Sequence, residues 1–427
     1  MLFIPAIEKP LSPKRPHRLV IIILRYILLL AFDRERTGWM RNKNRVKRFA
    51  GLLAVLLAFT AFDFVQGNRL QAQFSPYQYV RAQNRQLLVD FDQDGSYRPY
   101  LIKGAGYSPT PVGRYNGDWG YPTAGDPRPD NFFDDPAILS RDFAQLQAMD
   151  VNTIRLWKGN NTEVTMADAQ NPSSPWYQRW SDIGRFTNYM TTQTLEMAEQ
   201  YDLKVIAGFE MPWPGEFSCP CGATQSQYTR WVDYTNPVTR NDLLSRFEAY
   251  VRQFKDHPAI LFWAIGNENN YGFDNRTAEG LAQIQAYYSL VRELGQRARQ
   301  VEGPYYHPVA VVNGGLGYIG QTQYGTTDTA LPEIDLWGVN VYRSGSFGKL
   351  FTDFEALSHK GLWISEYGVD AWHTTDVANP QNGYEDQATQ STFGAQLWDE
   401  IAAAFLKQQV MGGSIMEYSD EWWKPYE

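Results

Sequence analysis

Ile260-Leu261-Phe262-Trp263-Ala264-Ile265-Gly266-Asn267-Glu268 is the stretch on which the reading of this chain turns. Six apolar residues in a row are too few for a buried helix and do not alternate as a half-exposed strand would. They fit a strand covered on both faces, as in a parallel sheet. Glycine and two polar residues then close the run, with a carboxylate at its end.

The same kind of block recurs along the chain. Residues 101–107, 151–157, 204–210, 308–313, 336–342, 362–367 and 413–418 are short, mostly apolar runs. Between them lie stretches with apolar residues at helical spacing, over 136–149, 186–201, 242–254, 277–301 and 389–409. In the first of these, Ile138, Leu139, Phe143, Leu146 and Met149 share a face, and Asp134 or Asp135 is placed to cap it. Eight β blocks alternating with helices predict a (β/α)8 barrel rather than an open sheet. Ahead of the first block, Asp92-Gln93-Asp94-Gly95 between two β-like runs predicts a hairpin. The segments 171–183 and 211–236 follow strands two and three and are rich in Trp, Pro and Gly, as functional loops of barrels are. The chain ends nine residues past Tyr418, which leaves the final outer helix apparently missing.

Residues 1–75 read as a separate N-terminal extension, and residues 76–427 as the catalytic domain. The basic run from Arg41 to Arg48 precedes an apolar stretch from Phe49 to Phe62, the layout of a signal peptide or short membrane anchor. A second apolar run spans residues 19–32, interrupted by Arg25. An exported catalytic part is expected, with membrane attachment, if any, through the N-terminal apolar segment.

Composition narrows the function classes. Net charge is −8, so the basic footprint of a nucleic-acid binder is missing. Aromatic residues make up 15% of the chain, which suits stacking on sugar rings or equally the packing of a large barrel. Cys219 and Cys221, two apart, build neither an unstrained bridge nor a zinc site without other ligands. No metal and no cofactor are implied, and the sequence leaves the oligomeric state open.

Glu268 ends the fourth block and Glu366 lies near the end of the seventh, so a barrel brings both carboxylates to one cleft. Surface acids at strand ends are common; the context argues for more. Trp263-Ala264-Ile265-Gly266-Asn267-Glu268 resembles the strand-four acid/base signature of glycoside hydrolase clan A. Trp363-Ile364-Ser365-Glu366-Tyr367-Gly368 resembles that clan's strand-seven nucleophile motif. Together with Lys103-Gly104-Ala105-Gly106-Tyr107-Ser108-Pro109 at the entry, the likeness is nearest to family 2 and family 5-like catalytic domains, over about residues 80–425. The resemblance implies that Arg155 contacts the nucleophile, that Tyr342 bonds to it, and that Asn267 meets the sugar 2-hydroxyl. It departs from the clan at Met416, where many members carry a platform Trp.

The chemistry implied is double displacement on a β-linked glycan. One carboxyl protonates the leaving oxygen, the other attacks the anomeric carbon, and the first then activates water. Glu268 is expected as acid/base and Glu366 as nucleophile, with an oligosaccharide or polysaccharide as substrate and a lean towards β-glucan or mannan. Further substrate contacts are expected from Trp157, Glu210, Trp213, Glu417 and Trp422, each of which packing or ion pairing would explain as well. Two other outcomes stay open: a transglycosylase using the same pair, and a catalytically dead, membrane-tethered carbohydrate-binding barrel.

Overall fold

The computed structural model describes residues 77–109, 133, 135–157, 190–212, 232–375 and 379–420. Eight parallel strands close into a barrel: β4 (Ile102–Gly106), β5 (Thr153–Leu156), β6 (Lys204–Phe209), β7 (Ile260–Ile265), β8 (Val309–Gly314), β9 (Leu336–Asn340), β10 (Gly361–Tyr367) and β13 (Gly412–Ile415). They pair in chain order, and β13 closes the ring between β10 and β4, while β11 (Trp372–His373) and β12 (Tyr384–Glu385) form a separate antiparallel pair. Each of the eight predicted blocks is one of these strands, so strand four is β7 and strand seven is β10. The fold is a (β/α)8 barrel.

The apolar runs follow from burial on both faces. In β7, Trp263 and Ile265 pack outward into the layer beneath the helices, while Phe262 and Ala264 face the interior cluster with Ile206, Val312 and Trp363. Helices α1 (Pro136–Ala148), α2 (Thr192–Gln200), α3 (Pro237–Phe254), α4 (Ala278–Glu302), α5 (Leu350–Leu357) and α6 (Gln387–Leu406) carry that outer layer. Their starts are written in the sequence. Asp135 caps α1 by accepting from the backbone of Ala137 and Ile138, with Pro136 opening the helix. Thr191 and Thr194 make a reciprocal capping box on α2, and Asn236 before Pro237 caps α3.

Two elements escape the sequence pattern. Helix α5 is only eight residues long and lacks a side-chain cap, so it carries too little periodicity to stand out. The expected hairpin is larger than the Asp-Gly signal implies: β1 (Val80–Gln83), β2 (Gln86–Val89) and β3 (Arg98–Pro99) form a three-stranded antiparallel sheet. The β1–β2 turn is Asn84-Arg85, both at positive φ (52° and 61°), where glycine would be the usual second residue. Arg85 is held there from outside, by an ion pair to Glu355 on α5 at 2.8 Å and a bond to the Ser358 carbonyl at 2.8 Å.

This small sheet covers the N-terminal end of the barrel. Val80, Leu87 and Val89 join Ile102, Leu336 and Met411 in one buried cluster. Lys204, at the start of β6, donates to the Pro258 carbonyl at 2.8 Å and lies 4.0 Å from the Phe91 ring. Among the described residues no helix is long and apolar enough to cross a membrane. The extension over 1–75, the cysteines, and Trp213 and Trp422 lie outside the described residues.

Candidate active site

At the opposite end, the carboxyl ends of the strands bring polar side chains to one place. β5 contributes Arg155, which is fully buried. One guanidinium nitrogen donates to Glu366 Oε1 at 2.7 Å and to the Ser365 carbonyl at 2.8 Å. The other donates to Asn267 Oδ1 at 2.8 Å. Arginine supplies such a fork because its donors are planar and fixed. Burial pulls its pKa below the usual arginine range, while the neighbouring Glu366 charge pulls it up. A guanidinium keeps its proton through such a shift.

Glu366, buried on β10, receives two further donors. Trp157 Nε1 reaches the same Oε1 at 2.6 Å, and the Tyr342 hydroxyl reaches Oε2 at 2.7 Å. Three donors converge on this carboxylate, the arrangement that suits an anion. Desolvation and the Glu366 charge hold the Tyr342 pKa well above the usual phenol value, so its hydroxyl stays a donor. The Arg155 guanidinium also lies 4.7 Å from the Trp157 ring and 5.4 Å from the Trp363 ring. Trp157 thus bonds to the strand-seven carboxylate through its edge.

Glu268 is presented by a kink. Gly266 has φ +67°, and a β-carbon there would collide with Asn269 and the Tyr287 hydroxyl. Glu268 itself adopts a left-handed conformation, φ 55° and ψ 19°, uncommon for a residue with a β-carbon. The backbone bonds that hold it run from Glu268 N to the Val312 carbonyl (3.1 Å) and from Tyr271 N to the Glu268 carbonyl (3.0 Å). Asn267 Oδ1 accepts from both Arg155 and Asn340 Nδ2 (3.0 Å), which fixes its amide with Nδ2 turned away from both. Ser365 Oγ in turn bonds Asn340 Oδ1 at 2.6 Å.

The structure therefore gathers Arg155, Trp157, Asn267, Tyr342 and Glu366 into one bonded network, with Glu268 next in sequence to Asn267. Glu210 lies half-buried just past β6. Glu417 lies just past β13, and its β-carbon and the Trp157 ring flank Gly106. Asn340 and Ser365 belong to the network although sequence reasoning gave neither a role. The available signal was their polarity inside otherwise apolar runs. Met416 follows β13 directly and donates its backbone N–H to the Tyr367 carbonyl at 2.8 Å. Among the described residues, no group of three or more His, Cys, Asp or Glu is placed to hold a metal ion.

A family model described as "Glycosyl hydrolases family 2, TIM barrel domain" matches residues 185–424. The chain belongs to this family. The matched span carries both glutamates and the strands that present them. This chain is 24% identical over 314 residues to proteins from Aspergillus flavus and Aspergillus oryzae, each named "Probable mannan endo-1,4-beta-mannosidase F". The match covers 66% of this chain and 63% of each relative, so the chain spans under two thirds of the length of these curated proteins. A solved beta-glucuronidase from Bifidobacterium dentium shares 16% identity, with a TM-score of 0.48, over 79% of this chain and 43% of that one.

Proposed function

We propose that the chain is a retaining glycosidase acting on β-linked glycans, with Glu366 as nucleophile and Glu268 as general acid/base. The observation that carries this reading is the set of donors on Glu366. Arg155, Trp157 and Tyr342 orient its two oxygens and balance its charge in a buried setting. A carboxylate present only for stability would not need three donors from the ends of two other strands at the mouth of a cleft.

The steps follow from these placements. A Glu366 oxygen attacks the anomeric carbon as Glu268 gives its proton to the departing glycosidic oxygen, leaving a glycosyl ester on Glu366. With Glu366 neutralised, Glu268 takes a proton from water, which attacks the same carbon and releases the sugar with its configuration retained. Asn267, held by Arg155 and Asn340, offers Nδ2 to the sugar 2-hydroxyl. Mannan is the favoured substrate class, because the relatives named above carry a mannan-cleaving name and the sequence segments that follow strands two and three are long and rich in Trp, Pro and Gly.

The test is the intact mass of the protein after incubation with 2-deoxy-2-fluoro-β-mannosyl and -glucosyl fluorides, followed by peptide mapping. One fluorosugar residue on Glu366 is expected, more readily from the mannosyl reagent. Label elsewhere, or product of inverted configuration by NMR, overturns the mechanism. Export, proposed from the basic and apolar runs of residues 41–62, predicts that the chain accumulates outside the cytoplasm of the producing cell. Its recovery only from the cytoplasmic fraction refutes that part.

A further inference from the structure

Directly after Glu268, a short 3-10 turn spans Asn269–Gly272, and its side chains meet different fates. Asn269 is buried: Nδ2 donates to the Met211 and Pro212 carbonyls at 3.0 and 3.2 Å, and Oδ1 accepts from Asn267 N at 3.0 Å. Asn270 is buried as well and makes a two-way bond with Gly314, 2.9 Å to its carbonyl and 2.8 Å from its N–H. Two amides therefore staple this turn to the ends of β6 and β8. Tyr271, between Asn270 and Gly272, is 60% exposed, although leaving an aromatic ring in water forgoes its burial.

Its ring is nevertheless fixed. The ring occupies the space where a β-carbon on Gly314 would stand, and its hydroxyl is 3.6 Å from the equivalent position on Gly315. Gly314 is not at positive φ, and the nearest obstacle to a side chain there is the tyrosine ring. One face of Tyr271 thus lies on bare backbone at the end of a barrel strand. The Tyr271 N–H bond to the Glu268 carbonyl sets the ring one turn beyond the acid, close enough for the Glu268 charge, after desolvation, to raise the phenol pKa.

We propose that Tyr271 is the stacking platform for the leaving-group sugar, and for an incoming acceptor sugar, on the Glu268 side of the cleaved bond. The inference rests on the retaining reading above. An acid that protonates the glycosidic oxygen stands beside the sugar being expelled, and Tyr271 is the exposed, pre-positioned aromatic surface next to that acid. A pyranose ring offers a flat C–H face to such a surface. The contact selects for a sugar, rather than a small alcohol, on the departing side.

The experiment isolates that side. The fluoroglycosyl-enzyme is formed with whichever 2-fluoro reagent labels it, freed of excess reagent, and its return to activity is followed in buffer and in rising concentrations of mannobiose or cellobiose. For the native chain, the rate should saturate with disaccharide. Tyr271→Ala should raise the half-saturating concentration about tenfold while recovery in buffer stays the same. Tyr271→Trp should restore saturation, and Gly314→Ala, which displaces the ring, should resemble Tyr271→Ala. Native half-saturation in both Tyr271→Ala and Gly314→Ala overturns the proposal. So does an equal loss of recovery in buffer, which marks general damage. Failure of the native chain to form any adduct refutes the retaining reading itself, and the platform falls with it.

Discussion

The two ends of the barrel solve closure in different ways. At the N-terminal end, Val80, Leu87 and Val89 of the small sheet press among Ile102, Leu336 and Met411, contacts without direction. At the C-terminal end, Arg155, Asn267, Asn340, Ser365 and Glu366 are joined by bonds of 2.6 to 3.0 Å. Between them, Phe262 and Trp363 cross edge to face at 5.3 Å and fill the middle of the barrel. The apolar end draws its stability from buried area, so its losses should scale with the atoms removed. The polar end depends on geometry, so one lost donor should matter more to chemistry than to folding.

Mutation can break that contrast. The largest effect is expected for Glu366→Gln, which keeps the shape but removes the nucleophile; kcat should fall by about 10⁴-fold or more in a steady-state assay. A variant with a tenth of native activity would mean the polar end is not the working end. At the other end, Leu87→Ala should lower unfolding free energy by about 2–4 kcal/mol in denaturant titration, with kcat close to native. Comparable damage to kcat would show that the ends are coupled through the Phe262–Trp363 layer.

Trp157→Phe keeps an aromatic ring, though a smaller one, and removes the bond to Glu366. A hydrogen bond to a charged group contributes about 1.5–3 kcal/mol, so kcat should drop roughly tenfold to a hundredfold with little change in melting temperature. The smallest effect concerns acid. His257 Nδ1 accepts from Ala259 N at 3.2 Å. Burial, and then the Lys204 charge, depress its pKa from 6.5 to about 4. The unfolded chain therefore takes up a proton that the folded chain resists. The stability from neutral His257 is complete above pH 6.5 and is lost as pH falls towards 4. His257→Asn should flatten the decline of melting temperature between pH 7 and 4.5 by a few degrees. An unchanged decline would assign the acid sensitivity elsewhere.

The sequence carried the barrel plainly and the site only in part. Strands buried on both faces must be apolar throughout, so β7 and β10 stand out without any partner being known. Chain order then places Glu268 and Glu366 at one rim. What the sequence hides is pairing at a distance. Nothing local says that Asn340 meets Asn267, 73 positions away, or that Trp157 bonds an acid 209 positions on. The β1–β2 turn was hidden for a related reason, since Arg85 tolerates its positive φ through partners supplied by α5 and the residue just after it.

Arg155 has one more consequence, for the order in which the molecule comes together. Its guanidinium joins β5 to Asn267, two residues past β7, and to β10, so its partners arrive only as later strands join the barrel. A nascent chain that has made β4 to β9 already holds Arg155, Asn267 and Glu268, yet the carboxylate that balances the arginine has still to be docked. A buried guanidinium without its counter-charge is strongly unfavourable. Such a partial barrel should therefore keep its mouth open to water until β10 and β13 seal it. Completion of the catalytic centre and closure of the barrel would then be one event, and recovery of activity on refolding should report the last step rather than an early one.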